Sequence, residues 1–317
     1  MRGQSRLIGR RLAQIIPVIV LATFVVFGLL HLVPGDIAFT LAGENATDAR
    51  IAQIRESYGL DRPFLVQYAS WLWNALHFDL SRSYLSNEPV LNQILHRFPT
   101  TLLIVCGALS ISLTIGIPLG ILAATKPGSR LDAAVTSLAS LGVAVPNFWL
   151  AMLLVATFAL SLNWFPATGA VAFAKDPAKS ILHAALPALA LAAGGVAEVA
   201  RQLRSGLIEI LSSQYVRTLH AKGLSPAAIL WKHGLKNVSV NLLTVIGLLV
   251  NRLLGATVVV EAVFAIPGMG SLIVHAAINK DFPVVQGVVL AMVVVVICMN
   301  LLIDILYTIL DPRVALK

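Results

Sequence analysis

A chain of 317 residues in which 58% are hydrophobic and only 12% charged, with a mean hydropathy of +0.86, is too apolar for a water-solvated domain, which sits nearer half apolar and a quarter charged. The formal net charge of +8 does not imply nucleic acid, because the basic residues stand beside apolar runs, where they face anionic headgroups and set orientation. The two cysteines, Cys106 and Cys298, fall inside apolar runs, so neither a disulfide nor a metal site is indicated.

In chain order, Arg2, Arg6, Arg10 and Arg11 precede an apolar run over 12–33. A signal peptide has a shorter apolar core and a small-residue cleavage site, so this run predicts a retained first transmembrane helix that starts in the cytoplasm. Residues 34–100 turn polar after Pro34, Gly35 and Asp36 and read as an external segment with its own helices. Thr47 caps one with Ile51, Ile54 and Tyr58 on a face and Gly59 at its end. Pro63 opens another, with Phe64, Tyr68, Leu72 and Leu76 on a stripe beside Trp71 and Trp73. Such amphipathic helices pack on a neighbour or lie in the membrane interface, and the aromatics favour the interface.

A second span is expected over 101–125, followed by a short basic turn from Lys126 to Arg130. The third, 133–162, is overlong and holds Pro146, so tilt or a kink is expected. Residues 163–183 return outside, with Trp164 and Phe165 as interface anchors. The fourth span, 184–199, is rich in Ala and Gly, which lets helices approach closely and places it inside the bundle. A fifth runs over 238–260 and a sixth over 284–310. With both ends inside, inner segments hold fourteen of the 23 lysines and arginines, and the short outer loops keep only Lys175, Lys179 and Lys280, which is the asymmetry that orients a membrane protein. The division that follows is 1–33 for the cytoplasmic start and first helix, 34–100 for the external segment, and 101–317 for a five-helix core with an inner loop at 201–237 and an outer hairpin at 261–283.

The inner loop carries the most specific local signals. A helical run through Leu219 and Lys222 ends at Gly223, which accepts left-handed backbone angles without a Cβ penalty. Ser225 is a good N-cap and Pro226 sits where a first helical residue needs no N–H, so a second helix follows through Trp231 toward Lys236. From composition alone this could be an ordinary basic loop obeying the positive-inside rule.

The order of residues in that loop resembles the cytoplasmic coupling loop of permease subunits of ATP-binding-cassette importers, in the peptide and nickel branch. Arg217, Thr218, Ala221, Lys222, Gly223, Leu224, His233, Leu235, Lys236 and Asn237 stand where that branch has Arg-Thr-x-x-Ala-Lys-Gly-Leu and then His-x-Leu-Lys-Asn. The wider family's Glu-Ala-Ala falls here on Arg217, Thr218 and Leu219, and its Ile-x-Leu-Pro on His233 to Lys236, so only Gly223 and Leu235 keep the general pattern. Residues 58–68, the run from Asp79 to Tyr84, the segment opening Glu261-Ala-Val-Phe-Ala-Ile-Pro-Gly-Met-Gly, and Asp311-Pro312-Arg313 are also similar to the branch.

The resemblance implies an all-α, six-span inner-membrane permease of the type I importer fold. It implies that Arg217, Thr218, Ala221, Lys222, Gly223 and Leu224 meet the ATPase. The partners it implies are a second, homologous permease, two ATPase subunits that hold the ATP and Mg, and an external solute-binding protein. The solute would be a small peptide, with a nickel chelate or another small solute of the same branch as the alternative. The chain itself has no Gly-Lys pair for a phosphate cradle, and no hydrolase or metal motif, so neither an enzyme nor a cofactor is expected in it. An intramembrane hydrolase is the rival from another class. An ion-coupled secondary transporter is also weighed; it would be expected to show intramembrane acids or interrupted helices at related positions in two halves, and no convincing repeat is found. Arg252 lies inside the fifth span, where a charge is costly, and reads either as a pathway or inter-subunit residue or as one half of an ion pair. Glu198 and Asp304 read as interfacial or paired, and His31 as a hydrogen-bonded interface residue. Trp73 and Lys280 are candidate external contacts to the solute or its binding protein, with packing against the partner permease as the other reading.

Overall fold

A computed structural model describes residues 2–32, 37–42 and 46–310, with side chains for 15–32, 38, 39, 41, 42 and 46–309. The turn at Pro34, Gly35 and Asp36, the four amino-terminal arginine side chains and Asp311-Pro312-Arg313 lie outside the described residues. The helices are α1 (Arg2–His31), α2 (Ile37–Ala42), α3 (Asp48–Ser57), α4 (Phe64–Leu76), α5 (Val90–Thr125), α6 (Arg130–Ala144), α7 (Asn147–Leu154), α8 (Pro177–Leu211), α9 (Gln214–Ala221), α10 (Pro226–Ala228), α11 (Leu235–Val263), α12 (Met269–Ile278) and α13 (Phe282–Leu310). Two π-helical stretches, Val155–Ser161 and Ile229–Gly234, continue α7 and α10.

Four described helices are long and apolar enough to cross a membrane: Val90–Thr125, Pro177–Leu211, Pro226–Val263 and Phe282–Ile309. The expected third span is broken. Pro146 cannot supply the N–H that would carry α6 onward, and the chain bends by 96° between Arg130–Ala144 and Asn147–Ser161. Of α1, which runs over Arg2–His31, the stretch with described side chains, Ile15–His31, is apolar. The second span begins earlier than its apolar run suggests, at Val90, because Asn92, Gln93, His96 and Arg97 extend the helix beyond the hydrophobic part. The fourth does the same at both ends.

The chain divides into two compact units. The first comprises 1–8, 99–270 and 296–317. Its centre is α8, which packs on α6, α7 and α11 through Ala188, Ala192, Gly195, Ala197 and Ala200. Small side chains make that possible, since the carbonyl of Ala200 lies 2.8 Å from where a Cβ on Gly120 would stand, so helices meet backbone to backbone. Of the apolar window of α8, 56% is buried, against 11% for α13, which leaves α13 to be solvated from outside this chain.

The second unit comprises 9–98 and 271–295. Thr47 accepts a hydrogen bond from the Arg50 N–H to start α3, and Gly59, at φ +63°, ends it. Pro63 precedes α4. Part of the aromatic stripe of α4 packs on α1: Tyr68 and Trp71 are buried with Phe27, against Phe64 and Leu72. The Tyr68 hydroxyl donates to the Val20 carbonyl at 3.0 Å, which gives a phenol buried among apolar side chains its partner.

Candidate functional site

The inner loop folds as a short helix, a fixed turn and a second helix. One face of α9 is apolar: Val216 and Leu219 are buried with Ile229, and Ile210, Leu211 and Leu224 pack against them. These contacts seat α9 on the end of α8. The helix closes through the Leu224 N–H, which donates to the Leu219 carbonyl at 3.2 Å, and the Gly223 N–H, which donates to the His220 carbonyl at 2.9 Å. That pair of bonds needs a left-handed residue between them, and Gly223 supplies it at φ +80°. The next helix starts as its sequence dictates, with the Ser225 hydroxyl accepting from the Ala228 N–H at 3.3 Å and Pro226 in the first turn. Tyr215 and His233 join the two helices through a bond of 2.9 Å between hydroxyl and ring nitrogen.

Because the apolar face is fixed inward, the other is presented to solvent. Arg217, Thr218, Ala221, Lys222 and Gly223 are exposed and Leu224 is half-buried. Thus five of the six residues singled out in the sequence are exposed together, while Leu224 packs on the apolar side. Beside it a cleft of about 500 Å³ is lined by Ile208, Leu211, Val216, Ala227, Leu230 and Trp231. The mount of this surface was not visible in the sequence. Arg204, on α8, donates from Nη2 to Asp132 Oδ2 at 2.7 Å and from Nε to Asp132 Oδ1. Asp132 is 3% exposed, sits in the first turn of α6 and also accepts from the Gly128 N–H at 2.9 Å. A bidentate pair of this kind fixes orientation as well as distance, so the turn before α6 is clamped to α8. The only local signal was the Ser129-x-x-Asp132 spacing of a helix start.

The outer hairpin holds a second buried carboxylate. Glu261 is fully buried; it accepts from the Thr101 hydroxyl at 2.5 Å, while Thr101 accepts from the Met269 N–H at 2.8 Å. The end of α11 repeats the closing bonds of α9, with the Ile266 N–H on the Glu261 carbonyl at 2.9 Å, but here Ala265 takes the left-handed position at φ +47°. A Cβ on Gly268 would stand 2.2 Å from Glu261 Oε1, and one on Gly270 would stand 2.4 Å from Val258 Cα. The Pro-Gly-Met-Gly run is therefore the shape needed to wrap this carboxylate.

The remaining candidates are dispersed. Arg252, on α11, forms an ion pair with Glu198 of α8, which matches the paired reading of Glu198. His31 lies 2.9 Å from the Phe27 carbonyl and 3.3 Å from Gln67 Oε1. Trp73 is 65% exposed. Lys280 is half-buried at φ +57°, just after α12. Its neighbour Asp281 is the missed residue of that segment: buried, it accepts from the Ser83 hydroxyl and, at 3.0 Å, from the Tyr84 N–H. Burial, with Tyr58 and Asp281 nearby, pushes the Tyr84 phenol up to about 12, so it stays protonated wherever the protein works.

Comparison with known proteins joins these features. Residues 116–316 match the family described as binding-protein-dependent transport system inner membrane component, and residues 4–105 match the family described as its N-terminal membrane component. A putative peptide transport system permease protein of Brucella abortus (strain 2308) is 43% identical over 98% of this chain and 99% of its own. The oligopeptide transport system permease protein of Bacillus subtilis (strain 168) is 36% identical over 96% and 98%. The dipeptide transport system permease protein of Escherichia coli (strain K12) is 34% identical over 97% and 98%. Among solved structures, a chain of the inward-facing MetNI methionine ABC transporter superposes with a TM-score of 0.57 at 20% identity, covering 69% of this chain and 96% of that one, which is a likeness of fold. With most of its length matched by the family and by full-length relatives, the chain belongs to the binding-protein-dependent transport system inner membrane components.

Proposed function

We propose that this chain is one of two permease subunits of an ATP-driven importer that carries short peptides across the inner membrane. Its partners are a homologous permease, two ATPase subunits that hold ATP and Mg on the cytoplasmic side, and an external binding protein that delivers the solute. Both termini and the α9 surface face the cytoplasm in this reading. What supports it most is the α9 surface, a helix held rigidly on its apolar side and closed by Gly223, whose other side offers Arg217, Thr218, Ala221 and Lys222 to solvent. The relatives named above are peptide permeases, which supports the solute class. In the same reading Arg252 faces the pathway or the partner subunit, and Trp73 and Lys280 face the binding protein.

Two substitutions test the assignment of α9. Ala221→Asp puts a charge into the docking surface, where an unpaired buried charge costs several kcal/mol, and Gly223→Val misdirects the helix end. Both variants should reach the membrane in normal amount yet lose ATP hydrolysis stimulated by delivered peptide. If both accumulate, retain the ATPase subunits and transport at the wild-type rate, the coupling assignment is wrong.

A further inference from the structure

Along α11 the residues left open by this chain recur every three or four positions: Asn241, Thr244, Leu248, Arg252, Gly255 and Val259. A stripe solvated by lipid would be uniformly apolar. This one carries an amide, a guanidinium and a glycine, with the Thr244 hydroxyl bonded to Tyr307 of α13, as a wall facing water or a polar solute does. Since α11 ends at Val263, Arg252 lies about 16 Å from that end at about 1.5 Å per residue, near the middle of a hydrocarbon layer about 30 Å thick.

Glu198 Oε2 is paired with Arg252 Nη2. The Arg252 side chain remains 49% exposed and that of Glu198 22%. A guanidinium has five N–H donors, so most of those on Arg252 stay available. One turn further on, no heavy atom stands within 4 Å of the place a Cβ would take on Gly255, which leaves room beside the guanidinium.

We propose that Glu198 and Arg252 read the two termini of the solute in transit: a zwitterionic short peptide sets its α-carboxylate on Arg252 and its α-ammonium on Glu198. This deepens the peptide-import reading and rests on it. The four charges then alternate in a ring, so none is left alone at mid-membrane, where an isolated charge is costly. An extended dipeptide spans about 7 Å end to end, the scale on which one solute can touch both members of a contacting pair. Because carboxylate recognition by the guanidinium is bidentate and planar, blocking one end of the peptide should remove one half of the recognition and leave the other.

The test uses the assembled transporter with its binding protein in proteoliposomes, and compares uptake of dialanine with its C-amidated and N-acetylated forms. The same binding protein serves every variant, so a change in preference between variants belongs to the permease. Arg252→Gln should cut the preference for free over amidated peptide by about tenfold, and Glu198→Gln should do so for free over acetylated peptide. The double variant, a neutral pair of similar shape, should assemble normally and lose both preferences. Unchanged preferences in all three variants overturn the proposal. So does an equal fall for all three peptides, which makes the pair structural or part of the contact with the other permease. Wild-type transporter that carries no peptide at all overturns the import reading itself, and that result is seen before any variant is made.

Discussion

The helix ends of α9 and α11 close with the same pair of backbone bonds but use glycine for opposite reasons. At the cytoplasmic turn Gly223 is needed for its backbone angle, and apart from chain neighbours nothing lies within 4 Å of where its Cβ would be. At the outer hairpin the left-handed position is held by Ala265, whereas Gly268 and Gly270 are needed for space, because the Glu261 carboxylate and the α11 backbone occupy the place of a side chain. The first turn leaves open space beside its glycine. The second is built around its own interior, so a turn's glycines distinguish an open surface from a packed knot once the space beside them is known.

The largest effect should come from the crowded turn. Gly268→Ala must displace a buried carboxylate, and a loss of about 3 kcal/mol is expected, seen as low membrane abundance and a lowered Tm; a Gly268→Ala protein as stable as wild type would break the contrast. Asp132→Ala tests whether the docking surface owes its rigidity to its mount. It leaves the Arg204 guanidinium partly buried without its partner and should cost about 2 kcal/mol, with peptide-stimulated ATP hydrolysis weakened while Asp132→Glu retains part of it. Gly223→Ala meets no obstacle and bears only the left-handed backbone cost of about 1–2 kcal/mol, so it should accumulate, and Gly223→Asn should be milder still in the same thermal melt. Lys222→Gln is expected to change stability by less than about 0.5 kcal/mol and to weaken only retention of the ATPase subunits in pull-downs.

What could be read in advance follows the distance over which each feature acts. Thr47, Gly59, Gly223, Ser225 and Pro226 act on the backbone within four residues, and each stands where local chemistry places it. The small-residue character of α8 likewise announced its central position. Partners far apart in the chain left no such mark. Asp132 finds Arg204 and Thr101 finds Glu261 across separations of 72 and 160 residues. The burial of Glu261 left no mark because hydropathy reports composition and says nothing of which side a residue faces. The aromatic stripe of α4 was ambiguous for the same reason: a Trp and Tyr face suits an interface and a helix surface equally, and Tyr68 and Trp71 are covered by α1 while Trp73 and Leu76 stay exposed. At Pro146 a kink was legible, but the size of the bend depends on what the two halves pack against.

That 96° break between α6 and α7 has a bioenergetic side. The first N–H groups of a helix have no turn before them to bond to, and hydrocarbon offers them nothing in exchange. Wherever the break lies within the bilayer, protein or water must therefore reach it. A membrane that stores energy as an ion gradient cannot leave a hydrated seam open, so the surface against the break has to be sealed at rest. This chain supplies part of that seal itself, since α8 packs on both halves and a Cβ on Gly194 would stand 3.7 Å from the Gly142 carbonyl oxygen beside the break.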